Sequence, residues 1–187
     1  EALLSEPDDR GGAAERLAML VACSFPRAEL TFLSYKLEKS DPEMAKLLSG
    51  IGDNRTRSLL VAQKIQGCRN LTLTELSDQA ALERMRKLLS QPQDVLSDIR
   101  SHVADSLRRL YRQRNLVLHW GKTDSVALRA SLRTAAPLVG AGMDRIAHAW
   151  YTEKTRPLEL AARASISLAT VRSNDPSSCV GLLDGRD

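Results

Sequence analysis

Arg114, Asn115 and His119 form an Arg-Asn-x-x-x-His pattern whose residue types suit chemistry on a phosphate. An arginine side chain can hold two phosphate oxygens at once and can stabilise the negative charge that builds up on phosphorus during phosphoryl transfer. Imidazole exchanges a proton near neutral pH, so His119 can act in general acid–base catalysis. Asn115 can orient either His119 or a substrate. The three residues are therefore candidates for a catalytic site.

The spacing of these residues limits how they can cooperate on one straight helix. Asn115 and His119 are four positions apart and share a helix face, and Arg112 lies on that face too. Arg114 points about 140° away from His119, at roughly 100° per residue. Arg114 and His119 can therefore share a phosphate in one of two ways. Either the helix loosens near Gly121, or two chains contribute residues to a joint site.

The stretch Arg114-Asn115-Leu116-Val117-Leu118-His119 resembles the signature of the HEPN family, the higher eukaryotes and prokaryotes nucleotide-binding domains. Many HEPN domains are ribonucleases that need neither a metal nor a cofactor. The resemblance implies that Arg114, Asn115 and His119 are catalytic and that the 2′-OH of RNA attacks the neighbouring phosphate, which leaves 2′,3′-cyclic phosphate and 5′-OH ends. It also implies a homodimer with a composite active site, in an effector or toxin module of a larger antiviral defence protein.

The residues around the motif favour an RNA partner. From Arg100 to Lys122 there are six basic residues and one acid, and Arg108, Arg112 and Lys122 are candidates for contacts to RNA phosphates. A solvated helix face is the alternative interpretation of this basic strip. HEPN domains often add an acidic residue from an earlier helix. The candidates for that acidic residue are Glu29, Glu38 and Glu43.

The composition predicts an all-α fold, because Leu and Ala are abundant and aromatic residues make up only 4% of the chain. We expect a helical bundle of about five to seven helices. The helical pattern over 93–120 is longer than any that precedes it in the chain, and it carries the motif. It places on one face Ile99, Val103, Leu107 and Leu110. Arg114 continues this apolar stripe, where a charge is costly unless it is paired or lines a site.

Proline and glycine mark the other predicted elements. Pro26 is expected to separate helices over 13–24 and 27–39, and Ser40-Asp41-Pro42 to start a short helix. Further helices are predicted over 55–67, over about 72–89 and over 156–172. Gly67 is expected to end the first of these. A long pattern over 128–150 contains Pro137, which predicts a kink, and Gly140 and Gly142, which would let another helix approach closely.

The predicted organisation is a linker over 1–12, one helical domain over 13–172 and a flexible C-terminal tail over 173–187. Because the chain does not begin with Met, we expect it to be a piece of a larger protein. The three cysteines are far apart and form no Cys-x-x-Cys pair, which predicts small core residues rather than a metal site or disulfides. The longest apolar run is too short to span a bilayer, so the predicted location is the cytoplasm, with no membrane partner.

Two other classes of function remain open from the sequence. One is a catalytically inactive helical domain used for dimerisation or for docking a partner, which the apolar Leu116, Val117 and Leu118 would favour. The other is a nucleic-acid-binding module without cleavage, which the net charge of +4 would allow. Asn115 favours the enzyme, because an asparagine beside Arg114 has no obvious packing purpose.

Overall fold

The computed structural model describes residues 3–5, 12–120, 126–173 and 175–185, and within these ranges the protein is all-helical, with no strand. The predicted fold class is confirmed. The described helices are α1 (Gly12–Ser40), α2 (Pro42–Leu48), α3 (Asn54–Gln66), α4 (Leu76–Ser90), α5 (Pro92–Trp120), α6 (Val126–Glu153), α7 (Pro157–Thr170) and α8 (Pro176–Val180). One more helix is present than the five to seven expected, because α8 lies where the sequence predicts a tail.

The prediction of two helices separated by Pro26 is wrong. α1 runs without interruption from Gly12 to Ser40, with Pro26 inside it. By length and composition alone α1 could also cross a membrane, since an 18-residue window in it has a mean hydropathy of 1.3. That window is 56% buried within the protein, as the core helix of a water-soluble protein would be, so it is weak grounds for a membrane span.

The predicted start of α2 at Ser40-Asp41-Pro42 is confirmed, whereas α4 begins at Leu76 and not near 72. Asp41 caps α2 by accepting hydrogen bonds from the backbone N–H groups of Glu43 and Met44, both at 3.0 Å. Asp53 caps α3 in the same way through Thr56, whose hydroxyl and N–H hold the pKa of that carboxyl below its usual range. α5 begins at Pro92, one residue before the predicted start at 93.

The chain folds into two compact units, whereas the sequence predicts one domain over 13–172. Unit 1 comprises Glu1–Ala22, Ser97–Ile166 and Gly185–Asp187, and unit 2 comprises Cys23–Leu96 and Ser167–Asp184. The motif lies in unit 1. Of the predicted linker, residues 6–11 lie outside the described residues. Leu4, by contrast, is buried, and its carbonyl accepts a hydrogen bond of 2.7 Å from Arg16.

The core of unit 1 holds the helix that carries the motif. Ala18 and Val21 of α1 pack with Val103, Ala104 and Leu107 of α5 in one buried cluster. The partly buried side chains of Leu17, Ile99, Leu138 and Val139 surround it. The predicted stripe therefore faces the core from Ile99 to Leu107, and burial of its apolar side chains fixes the rotation of α5 about its axis.

Gly142 of α6 is where α1 and α6 approach closely. A Cβ built on Gly142 would collide with the side chain of Leu17, whose Cγ would lie 3.0 Å away. A Cβ built on Gly140 would meet nothing within 4 Å. Of the two glycines predicted to permit close approach, only Gly142 does so.

Alanine at these two glycines is expected to have opposite effects. Gly142→Ala should lower the free energy of unfolding by about 1–3 kcal/mol, because Leu17 or a helix must move to admit the methyl group. Gly140→Ala should raise it by about 0.5–1 kcal/mol, because alanine loses less conformational entropy in a helix interior. Urea unfolding of both variants measures the difference. Equal effects of the two substitutions would contradict this packing of α6 on α1.

The C-terminal segment of unit 2 corrects the prediction of a flexible tail over 173–187. Asp175 caps α8 by accepting a hydrogen bond of 3.0 Å from the Ser177 N–H, and Cys179 and Val180 are buried. Asp184 then accepts hydrogen bonds from Arg27 and Arg55, at 2.9 Å and 2.7 Å. The polar composition that predicts mobility instead supplies the cap and the ion pairs.

The end of α3 shows why a glycine at position 67 is only part of the stop signal. Gly67 is the C-cap but has an ordinary φ of −68°, whereas the next residue, Cys68, has the left-handed φ of 52°. The Cys68 N–H donates to Ile65 O and the Arg69 N–H to Lys64 O, at 3.1 Å and 3.3 Å. This is a Schellman motif with a cysteine in the position that favours glycine. Cys68 is also exposed, so the prediction that all three cysteines are core residues is wrong for this one.

Cys68→Gly is therefore expected to stabilise unit 2. Glycine adopts a positive φ without the steric cost that a Cβ imposes, so we expect a gain of about 0.5–1 kcal/mol in the free energy of unfolding. Thermal and urea unfolding check it. Gly67→Ala serves as the comparison, because its φ is negative and its Cβ would meet only carbonyl oxygens, at 3.4 Å or more. A loss of stability on Cys68→Gly would contradict the assignment.

Candidate functional site

The three motif residues lie in the last two turns of α5, beyond the part of the helix that is buried. Val103 and Leu107 are each 6% exposed, but none of residues 108–119 is buried. Arg114 and His119 are exposed and Asn115 is half-buried. The prediction that Arg114 continues a core-facing stripe is therefore wrong, because the buried stripe ends at Leu107. A charge at position 114 costs little desolvation where it stands.

The described residues give the motif side chains few partners. Among them, none hydrogen-bonds to the side chain of Asn115 or His119, and none forms an ion pair with Arg114. The Arg114 guanidinium lies over the ring of Tyr111, with its Cζ 5.9 Å from the ring centroid. A structural ion pair, the ordinary explanation of such an arginine, has no acceptor in the described part of the chain.

The chain does not join the three residues into one site by itself. All three belong to a single continuous α-helix that ends at Trp120, so α5 does not loosen at or before that residue. Asn115 and His119 share a face, while Arg114 lies about 140° around the helix from His119. Gly121, where loosening was one alternative, lies outside the described residues.

The predicted phosphate contacts differ in their surroundings. Arg108 donates to Asp105 at 3.0 Å and also contacts Glu15, so a phosphate would have to displace two carboxylates to bind it. Arg112 is exposed and has no carboxylate partner in the described ranges. Lys122 lies outside the described residues.

Glu15 is the acidic residue of an earlier helix that contacts α5, and it was not among the candidates predicted from the sequence. The candidates Glu29, Glu38 and Glu43 belong to unit 2, where their partners are Arg84, Arg57 and Arg69 respectively. The available signal was the position of Glu15 in the first turn of α1, where an acidic side chain is favoured.

A cavity of about 660 Å³ adjoins the motif within unit 1, and we refer to it as the apolar cavity. α1 contributes Ala14 and Leu17 to its lining, and α6 contributes Val139 and Met143. α5 contributes apolar side chains and three arginines. The arginines are Arg108, Arg112 and Arg114. His119 does not line the cavity, so Arg114 and His119 are directed at different surroundings.

No group of three or more His, Cys, Asp or Glu side chains is arranged to hold a metal ion within the described ranges. The buried thiols are unreactive by position, because burial raises the pKa of Cys23 to about 12 and that of Cys179 above its usual value.

Comparisons of this chain with protein-family profiles, with curated proteins and with solved structures find no significant match. The motif and its geometry are therefore the grounds on which a function is proposed below.

Proposed function

We propose that this chain is a metal-independent endoribonuclease of the HEPN type, in which two copies complete the active site. The observation that carries the proposal is that Arg114 and His119 are exposed and Asn115 is half-buried in the last two turns of α5, and that their side chains have no hydrogen-bond or ion-pair partner in the described part of the chain. Polar side chains at a helix end that have no partner among the described residues can contact a substrate. The proposed setting is the cytoplasm, within an effector or toxin module of a larger defence protein.

The need for a second copy follows from the direction of the side chains. On an unbroken helix, Arg114 and His119 diverge by about 140°, so one phosphate cannot contact both. A two-fold axis beside the end of α5 would set the Arg114 of one copy against the His119 of the other. Leu116 and Leu118, which are 46% and 62% exposed, lie between these residues in sequence and offer apolar surface for such a contact.

The proposed reaction is an internal transesterification. A histidine accepts the proton of the 2′-OH as the 2′-oxygen forms a bond to phosphorus, and the bond from phosphorus to the 5′-oxygen breaks. The leaving 5′-oxygen then takes a proton from the same histidine, which is now protonated, so no water is consumed. Arg114 neutralises the charge on the non-bridging oxygens in the transition state. Asn115, four residues before His119, orients the imidazole or the substrate.

Incubation of the purified protein with total cellular RNA in EDTA tests the proposal. We expect cleavage that EDTA does not inhibit, with 2′,3′-cyclic phosphate and 5′-OH ends on the products. A parallel reaction on DNA of the same length is the control, because DNA lacks the attacking 2′-OH. Cleavage of DNA, or products with 5′-phosphate ends, would contradict the mechanism.

A non-catalytic dimerisation domain is the second candidate, and the same exposed Leu116 and Leu118 favour it. Such a domain would form dimers in sedimentation experiments and would leave RNA intact. Leu118→Ser should weaken the contact between two copies under both proposals and does not distinguish them. The presence or absence of RNA cleavage by the wild-type dimer decides between them.

A further inference from the structure

The apolar cavity has the size and lining of a small-molecule site. Its volume of about 660 Å³ lies within the range of roughly 300–1,000 Å³ that is usual for ligand pockets. Leu17, Leu107, Val139 and Met143 supply an aliphatic lining from three helices. Such a surface favours a hydrocarbon chain over a polar ligand, because burial of each methylene group contributes about 0.8 kcal/mol.

The charges at the cavity favour an anion. Its charged lining residues are Arg108, Arg112 and Arg114, and among the residues that the structure describes no acidic one lines it. Arg108 is neutralised by Asp105 and Glu15. Arg112 and Arg114 are exposed and have no carboxylate partner among the described residues, so two positive charges beside an apolar cavity remain uncompensated.

We propose that the apolar cavity binds a single-chain amphiphile with a carboxylate head, of the fatty-acid class. The hydrocarbon chain lies against Leu17 and Val139, and the carboxylate pairs with Arg114. A guanidinium binds a carboxylate through two parallel hydrogen bonds, so Arg114 selects the acid over a neutral molecule of the same chain length. The proposal concerns binding alone and holds whether or not the protein cleaves RNA.

Calorimetric titration of the full chain with dodecanoate tests this site, and dodecanol is the neutral comparison. We expect one saturable dodecanoate site, with a negative heat-capacity change because apolar surface is buried. Dodecanol should bind about tenfold or more weakly, because it forms no charge-assisted hydrogen bonds to Arg114. Arg114→Gln should bring dodecanoate towards the affinity of dodecanol. Arg112→Gln, which removes a charge about 160° around α5 from Arg114, should change dodecanoate binding less. Equal binding of the acid and the alcohol would overturn the proposal.

Filling the cavity separates this site from adsorption of a fatty acid to a basic surface. Val139→Trp and Met143→Trp should abolish dodecanoate binding, and Met143 is exposed enough, at 42%, for the larger ring to be accommodated without unfolding. Leu132→Trp adds the same ring to α6 at an exposed position that does not line the cavity, so it should bind dodecanoate as the wild type does. Two results would show that the cavity is not a fatty-acid site. One is a folded cavity-filled variant that binds dodecanoate like the wild type. The other is a cavity-filled variant whose dimer dissociates although dodecanoate leaves the wild-type dimer intact, because the cavity would then be a contact between copies.

Discussion

His119→Ala is expected to lower the rate of RNA cleavage about 10²–10⁴-fold, the contribution that one general acid or base usually makes. His119 is exposed on the last turn of α5 and has no side-chain hydrogen bond within the described ranges, so its removal leaves no buried group without a partner. The loss should therefore be one of rate and not of folding. Initial rates on a defined RNA oligonucleotide in EDTA measure it, with circular dichroism as the check on helix content.

His148→Ala is the matched control for this variant. His148 is also an exposed histidine on a long helix of unit 1, and it does not belong to the motif. Its substitution should leave the rate within about twofold of wild type if general acid–base catalysis belongs to His119 alone. Equal activity of the His119→Ala and His148→Ala proteins would exclude His119 from the chemistry.

Mixing two inactive variants tests whether the site is shared between copies. Arg114→Ala and His119→Ala should each be inactive alone. If each site takes Arg114 from one copy and His119 from the other, a mixed dimer has one complete site. Re-equilibrated equal mixtures should then recover about a quarter of the wild-type rate, because half of the dimers are mixed and each carries one site of two. No recovery in a mixture that is shown to contain mixed dimers would place both residues in one chain's site.

The sequence predicts the helix that carries the motif better than the surroundings of the motif. The apolar spacing from Ile99 to Leu107 sets both the helix and its buried face, because each of these positions packs within unit 1. The same periodicity places Arg114 on the core face. That placement is wrong, because periodicity alone gives no information on where along α5 the packed surface ends. Under the proposed function, Arg114 and His119 meet across two copies, and no pattern within one chain specifies such a contact.

Pro26 shows how packing can outweigh a local stop signal. A proline inside a helix costs about 3 kcal/mol through its missing donor and its steric clash. Leu20, Leu30 and Leu33 lie on both sides of Pro26 in α1 and are fully buried, and each such side chain contributes about 1.5–3 kcal/mol. The stabilisation from burying these leucines in a continuous α1 therefore exceeds the cost of Pro26 inside the helix. The helix caps at Asp41 and Asp53 were predictable because they involve only neighbours in sequence.

Arg57→Ala is expected to lower the free energy of unfolding by about 3–5 kcal/mol, because it leaves buried oxygen acceptors without a donor and opens a cavity where the side chain packs. Arg57 is 4% exposed, and its guanidinium donates to Ser34 Oγ at 3.0 Å, to Ile51 O at 3.1 Å and to the carboxylate of Glu38. It also lies over the ring of Tyr35, with its Cζ 4.2 Å from the ring centroid. The sequence offered no sign of this role, because these partners come from α1 and from the loop after α2.

The planar fork of Arg57 is what the site requires, so Arg57→Lys should also be strongly destabilising. An ammonium group can replace the charge opposite Glu38 but cannot also reach Ser34 and Ile51. Arg84→Ala is the matched control in unit 2, since its ion pair with Glu29 is 56% exposed at the arginine and should contribute less than about 1 kcal/mol. Urea unfolding of the three variants measures the order. A loss at Arg84 as large as that at Arg57 would mean that charge alone, and not the buried hydrogen-bond network, stabilises unit 2.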